Sequence, residues 1–244
     1  MRCALAAMGF VNGDVRHNAA VIVDTLRKYA AQADIVLFGE AFLQGFYAAT
    51  FDPAHDNAIA LMQDAPMILE IRAAARQYAT AVAFGFIEKA AEAFYSSYIT
   101  IGPDGAVLDL YRRISPGWKE PFAGPQYREG EAFHTFPYMG KRIAVALCGD
   151  LWYDENITLM QQLQPDTVFW PVYTDFDYRE WNTATKHEYA QQAAAIPAPV
   201  LYVNSLCKDK PGDEYAKGGA AHFAGGSIVR EIPAVAEGVM VVDI

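Results

Sequence analysis

Ala33-Asp34-Ile35-Val36-Leu37-Phe38-Gly39-Glu40 is a short, continuous apolar run closed by a glycine and a carboxylate. A run without alternation reads as a strand buried on both faces, and the residue at its exit must be held by the structure around it. Upstream, Asp14 is placed to cap a helix in which Ala19, Ile22, Val23, Leu26, Tyr29 and Ala30 recur at three- and four-residue spacing. Before it, Cys3 to Val11 reads as a first strand. Arg2 and this run imitate a signal peptide, but Asn12-Gly13-Asp14 and the helix follow where a cleavage site would stand. Downstream, a helix from Pro66 to Ala79 leads to a second buried strand, Ala81 to Ile87. Strand–helix–strand alternation is the pattern of an α/β sheet.

The middle of the chain departs from it. Phe94 to Ile101 and Ala106 to Arg112 are strand-like runs joined by Gly102-Pro103-Asp104-Gly105, which makes them a hairpin. The stretch from Ser115 to Glu131, rich in proline, glycine and aromatics, is too long for a plain connection and reads as a functional loop. Alternation resumes with a strand from Arg142 to Leu147, a helix near Asn156 to Leu163 and a strand from Thr167 to Val172. A helix near Glu180 to Ala195 and a strand from Val200 to Asn204 follow, then hairpin-like runs at Gly226 to Ile232 and Gly238 to Val242. With no linker or repeat, residues 1–244 read as one domain.

Composition narrows the function. Nineteen basic against 29 acidic residues give a net charge of −10, the wrong sign for tracking phosphates, so nucleic acid is not the expected partner. No stretch is apolar for the roughly 18 residues that span a bilayer, so a soluble, cytoplasmic protein is expected. Of 244 residues 53% are apolar, enough for a sizeable core. Three cysteines, Cys3, Cys148 and Cys207, are an odd number spread along the chain, which is no disulfide framework. No metal-binding cluster, phosphate-cradling loop or paired CxxC motif stands out, and no cofactor is expected.

Two residues carry chemistry. Cys148 ends the run Ile143 to Leu147 and precedes Gly149-Asp150-Leu151-Trp152, where a turn and a helix start would lower a thiol's pKa and favour a nucleophile. The competing reading is a buried structural cysteine. Glu40 is either a general base at a strand mouth or a surface carboxylate opening a loop. Cys3 and Cys207 lie in strand contexts and read as inert, and no histidine is placed as a base.

Taken in order, these segments resemble the nitrilase superfamily of carbon–nitrogen hydrolases. Asp14 with Asn18, then Ala33 to Glu40 with Gly45-Phe46, are similar to its first block. Gly85-Phe86 and the hairpin from Tyr95 to Tyr111 are similar to its second, and Ile143 to Trp152 to its third. Trp170-Pro171, Val203-Asn204 and Gly225-Gly226-Ser227 follow as later landmarks. The resemblance implies a four-layer α-β-β-α sandwich within the α/β class, a homodimer or higher homo-oligomer, and hydrolysis of a small amide-like substrate. It implies Glu40 as base and Cys148 as nucleophile. The family's lysine falls at Arg113, whose guanidinium offers charge and donors but no transferable proton. Lys119 is either a replacement for that ammonium or half of an ion pair with Glu120. Glu120 stands where relatives often carry a substrate-positioning glutamate, and Trp118, Trp152 and Tyr173 are pocket-lining or core residues.

Overall fold

The computed structural model describes residues 1–212 and 215–244. Two six-stranded sheets form its centre. The first is built from β1 (Arg2–Ala7), β3 (Ile35–Leu37), β4 (Ala81–Ala90), β5 (Ala93–Ile101) and β6 (Val107–Arg112), with the last strand, β14 (Gly238–Asp243), on its far edge beside β1. β1, β3 and β4 run parallel, with Cys3 opposite Ile35 and Ile35 opposite Ala81, while β5 and β6 continue as an antiparallel meander. The second sheet repeats the plan: β8 (Lys141–Val145), β9 (Thr167–Val172) and β10 (Val200–Asn204) run parallel. β7 (Thr135–Tyr138) lies antiparallel on one side, and β12 (Ala220–Ala224) and β13 (Ser227–Ile232) on the other. Two short strands, β2 (Gly9–Phe10) and β11 (Leu206–Cys207), pair separately.

The alternation of side chains along a strand makes the layers. In β1, Cys3, Leu5 and Ala7 face the second sheet, whereas Ala4 and Ala6 pack under α1 (Val15–Tyr29) and α3 (Pro66–Tyr78), with Ile22, Leu26, Ile68 and Ile71. On the other side α4 (Asp154–Leu163) and α6 (Lys186–Ala193) set Ile157, Met160, Tyr189 and Ala190 against the second sheet. The order is therefore helix, sheet, sheet, helix. Among the described residues no helix is long and apolar enough to cross a membrane.

Several segments differ from the sequence reading. The first strand breaks after Ala7 because the chain changes partner from β3 to β11. The two C-terminal runs form no hairpin with each other: β13 pairs with β12 in one sheet and β14 with β1 in the other. The helix expected from Glu180 is α5 (Tyr178–Glu180), a π-helical turn over Trp181–Thr185, and then α6. A short helix, α2 (Pro53–Ile59), capped by Asp52 and started by Pro53, stands where none was expected. The long loop is packed rather than loose, since Trp118 and Tyr127 form a small core with Phe94, and the Tyr127 hydroxyl donates to buried Asp56 at 2.7 Å.

Candidate active site

β3 delivers Glu40 into the interior, where it is 1% exposed. Its Oε1 accepts from Ser96 Oγ at 2.8 Å and from Arg113 Nη1 at 3.0 Å. The chain can place it there because Gly85 has no side chain: a Cβ at Gly85 would lie 2.3 Å from the Ala41 nitrogen and 2.7 Å from the Glu40 Cα. Backbone cannot yield as a flexible side chain can, so Gly85→Ala is expected to cost about 1–3 kcal/mol by overpacking. Chemical denaturation reads that cost, and a variant as stable as the parent would show that the glycine is incidental.

The strand period separates two adjacent arginines. Arg112 turns outward to Glu88, with Nε at 2.7 Å and Nη2 at 3.0 Å, and lies 4.0 Å over the Tyr95 ring. Arg113 turns inward and is 4% exposed. Besides Glu40 it donates from Nε to Ser115 Oγ at 3.0 Å and from Nη2 to the Pro116 carbonyl at 3.2 Å. Its pKa is held above the ordinary guanidinium value: burial pulls it down, but the charges of Glu40, Cys148 and Asp150 outweigh that. The group is a fixed cation.

Cys148 sits directly after β8, at the start of a 3₁₀ turn (Cys148–Trp152), with φ +43°. That left-handed backbone is uncommon outside glycine and asparagine, and four bonds hold the turn. Trp170 Nε1 donates to the Cys148 carbonyl at 2.8 Å. Asp150 Oδ2 accepts from the Leu147 amide at 2.8 Å and from the Tyr111 hydroxyl at 2.6 Å. Asp150 Oδ1 accepts from the Ser115 amide at 2.8 Å. Buried Asp150 thus ties the cysteine turn to the segment that carries Arg113. Gly149 completes the approach, because a Cβ there would lie 2.7 Å from Arg113 Nη2. The Cys148 thiol donates to the Tyr173 carbonyl at 3.4 Å.

The expected lowering of the Cys148 pKa is overturned. Burial first, then the charge of Glu40, push it up from 9.0 to about 12, and Arg113 offsets only part. One short 3₁₀ turn supplies too little dipole to win against desolvation. Cys3, closed between the sheets, is also pushed up to about 12, and buried Cys207 is raised.

Above Cys148 opens a cavity of about 650 Å³, within the size range of small-molecule sites. Trp152 and Tyr173 line it, joined by Asp175, Phe176, Glu188 and Tyr189. Glu188 and Tyr189 carry no signal in the sequence, where they look like ordinary residues of a polar helix. Lys119 and Glu120 line a different groove, with Phe46, Tyr47 and Trp118. Neither arrangement expected of Lys119 is formed: Arg113 rather than Lys119 meets Glu40, Lys119 Nζ reaches Glu129 at 2.7 Å and the Tyr127 carbonyl at 2.7 Å, and Glu120 is exposed. The Phe46 ring, stacked on Tyr173 with centroids 4.5 Å apart, borders that groove, and Tyr173 borders the cavity. Trp118 is buried core. Ser96, Ser115 and Asp150, which hold Glu40, Arg113 and the Cys148 turn, carried no signal in the sequence beyond the places of Ser96 and Asp150 inside the recognised blocks and of Ser115 at the start of the long loop. Among the described residues no group of His, Cys, Asp and Glu is arranged to hold a metal ion.

Known proteins share this arrangement of layers. A (R)-stereoselective amidase of a Pseudomonas species is 25% identical over 173 residues, 69% of this chain and 58% of its own length, so the chain spans little more than half of that relative. An N-carbamoylputrescine amidase of Arabidopsis thaliana is 24% identical over 245 residues, 93% of this chain and 81% of its own. Among solved structures, a mutant amidase from Nesterenkonia sp. AN1 with acrylamide added to its active-site cysteine superposes with a TM-score of 0.80 at 19% identity, covering 100% of this chain and 93% of its own. A CN-hydrolase superfamily protein from Xanthomonas campestris, with an arsenic adduct in its active site, gives 0.80 at 20% identity, covering 99% and 89%. These structural likenesses concern the fold. Membership rests on the sequence itself: the carbon–nitrogen hydrolase family model matches residues 2–244, and the chain belongs to that family.

Proposed function

We propose that the protein hydrolyses the C–N bond of a small amide through a thioester on Cys148, with Glu40 as the base. The observation that carries this is the buried Glu40–Arg113 pair, 3.0 Å apart, with the guanidinium packed against Gly149 beside Cys148. At rest the thiol keeps its proton, as its raised pKa requires. When an amide enters, Glu40 takes that proton and the sulfur attacks the carbonyl carbon. Arg113 and the backbone N–H after Cys148 oppose the negative charge gathering on the carbonyl oxygen. Collapse breaks the C–N bond, and Glu40 returns the proton to the departing nitrogen, which leaves as ammonia or an amine. Water then gives a proton to Glu40 and its oxygen to the acyl carbon, and the carboxylic acid departs as Cys148 regains its proton. Each step balances without a cofactor. That relatives of the chain are amidases supports the choice of an amide over a nitrile as substrate.

One observation favours a second reading, binding without efficient turnover. Every nitrogen of Arg113 is already engaged, by Glu40, Ser115 and Pro116. A guanidinium carries five N–H groups, however, and those four contacts leave at least one free. The two readings separate on incubation with simple amides, followed by ammonia release, alongside alkylation by iodoacetamide. Turnover together with alkylation at Cys148, slow at neutral pH and rising toward pH 12 with the thiolate, is the expected result. Alkylation without ammonia from any amide favours binding, and a Cys148 that resists alkylation even in alkali would remove the hydrolase reading.

A further inference from the structure

We propose that the substrate is a cationic amide, one whose non-reacting end carries an ammonium group. The inference rests on the hydrolase reading for the presence of a ligand, which the nucleophile at the cavity floor supplies. The walls give that ligand its charge. Among the described residues three carboxylates, Asp175, Glu180 and Glu188, line the cavity, and no lysine, arginine or histidine does. Glu180 and Glu188 form no side-chain hydrogen bond or ion pair among the described residues, and Asp175 receives only the Tyr47 hydroxyl at 3.4 Å. Arg113, the cation nearest the chemistry, is buried and bonded to Glu40. Lys217 lines a much smaller cavity that adjoins this one through Thr174 and Phe176, and it does not border Cys148.

The remaining walls are aromatic and meet at steep angles. Trp152 stands edge-on to Tyr189, with centroids 4.9 Å apart at 76°, and Phe176 meets the same ring at 6.0 Å and 78°. Tyr189 is stacked on Trp170 and Phe176 on Trp181, which covers one face of each, and an ammonium over a face left open to the cavity is attracted by the ring quadrupole. An anionic arm would face three carboxylates in a partly enclosed space, where like charges repel more strongly than in water. A neutral arm would gain from the rings alone. Trp152, Asp175, Phe176 and Glu188 are well exposed, so the charge preference is reached through solvent and is screened by salt over roughly 8–10 Å at physiological ionic strength.

The test compares two thiol reagents of opposite charge, 2-aminoethyl and 2-sulfonatoethyl methanethiosulfonate. Each passes its thioalkyl group to the Cys148 thiolate as a mixed disulfide and releases methanesulfinate. Rates are normalised to a small neutral thiol, with Cys148→Ala as the background. The cationic reagent is expected to react at least about tenfold faster relative to the anionic one, with the ratio shrinking in high salt. The E180Q/E188Q double variant is expected to cut the ratio several-fold, and in turnover to lower kcat/KM for 4-aminobutanamide more than for pentanamide. An anionic reagent as fast as the cationic one, or a ratio unmoved by the double variant, would overturn the proposal. The labelling arm needs no catalysis: a strong cationic preference with no amide turned over leaves the cavity's charge preference standing and removes the hydrolase reading. Turnover that favours pentanamide does the reverse.

Discussion

Cys148→Ala is expected to lower amide turnover at least about 10⁴-fold, and Glu40→Gln to come close to it, because on the proposed mechanism the thiol has no nucleophilic form at neutral pH until the carboxylate takes its proton. A glutamine at position 40 keeps the shape and can still accept from Ser96 Oγ at a site where the carboxylate does so at 2.8 Å, yet it cannot hold the proton. The two residues act as one unit, so the double variant should be little worse than either single one. Ammonia release from a fixed amide measures all three, and a Glu40→Gln variant within tenfold of the parent would remove the carboxylate from the mechanism. The same cysteine has a signature in stability. Its pKa is raised from 9.0 to about 12 in the folded chain, so between those values the folded state holds a proton that the unfolded state has released. Stability from this group is complete below about pH 9 and is lost as pH rises toward 12. Cys3 shifts in the same direction and remains in the variant. Denaturant titrations on either side of pH 9 should therefore show the parent losing more stability in alkali than Cys148→Ala does.

Much of this arrangement could be read before any coordinates. The limits of β9 and β10, Thr167–Val172 and Val200–Asn204, are those that the sequence reading proposed, because continuous β-branched and aromatic runs between turn signals have few other homes. β7 escaped notice because Pro137 sits in it, tolerable only at an edge, and β7 is indeed the edge strand of its sheet. β12, with three alanines in five residues, carries little strand propensity of its own and is held by its neighbours. At the site, the local features were legible: a carboxylate at a strand mouth and a thiol at a strand-to-turn junction. The choice of cation was not. Arg113 and Lys119 lie six positions apart in sequence, and which of them meets Glu40 is decided by a contact across 73 residues and by the pairing of Lys119 with Glu129. The thiol's pKa failed for a related reason, since the turn that would lower it is local and the burial that raises it is tertiary.

Removing the guanidinium should be the most damaging change to the fold of the site. Arg113→Ala is expected to cost about 3–5 kcal/mol of stability, because it strips a countercharge from a carboxylate with no access to water and leaves an uncompensated buried charge. Glu40 would keep only the Ser96 hydroxyl, and Ser115 Oγ and the Pro116 carbonyl would lose their donors. On the proposed mechanism turnover should fall with it, since both the orientation of the base and the charge opposite the oxyanion would go at once. Arg113→Lys separates charge from geometry. An ammonium can meet Glu40 but cannot also span Ser115 and Pro116, so the stability loss should be smaller, about 1–2 kcal/mol for the missing hydrogen bonds. Unfolding titrations and ammonia release on both variants make the comparison, and an Arg113→Ala protein as stable as the parent would show that the pair contributes no countercharge. Within the hydrolase reading, Arg113→Lys should retain turnover that Arg113→Ala loses. A rate above the parent would mean that a proton the guanidinium cannot give had been limiting, whereas a lower one would mean that the fork reaching Glu40, Ser115 and Pro116 together is what the chemistry uses.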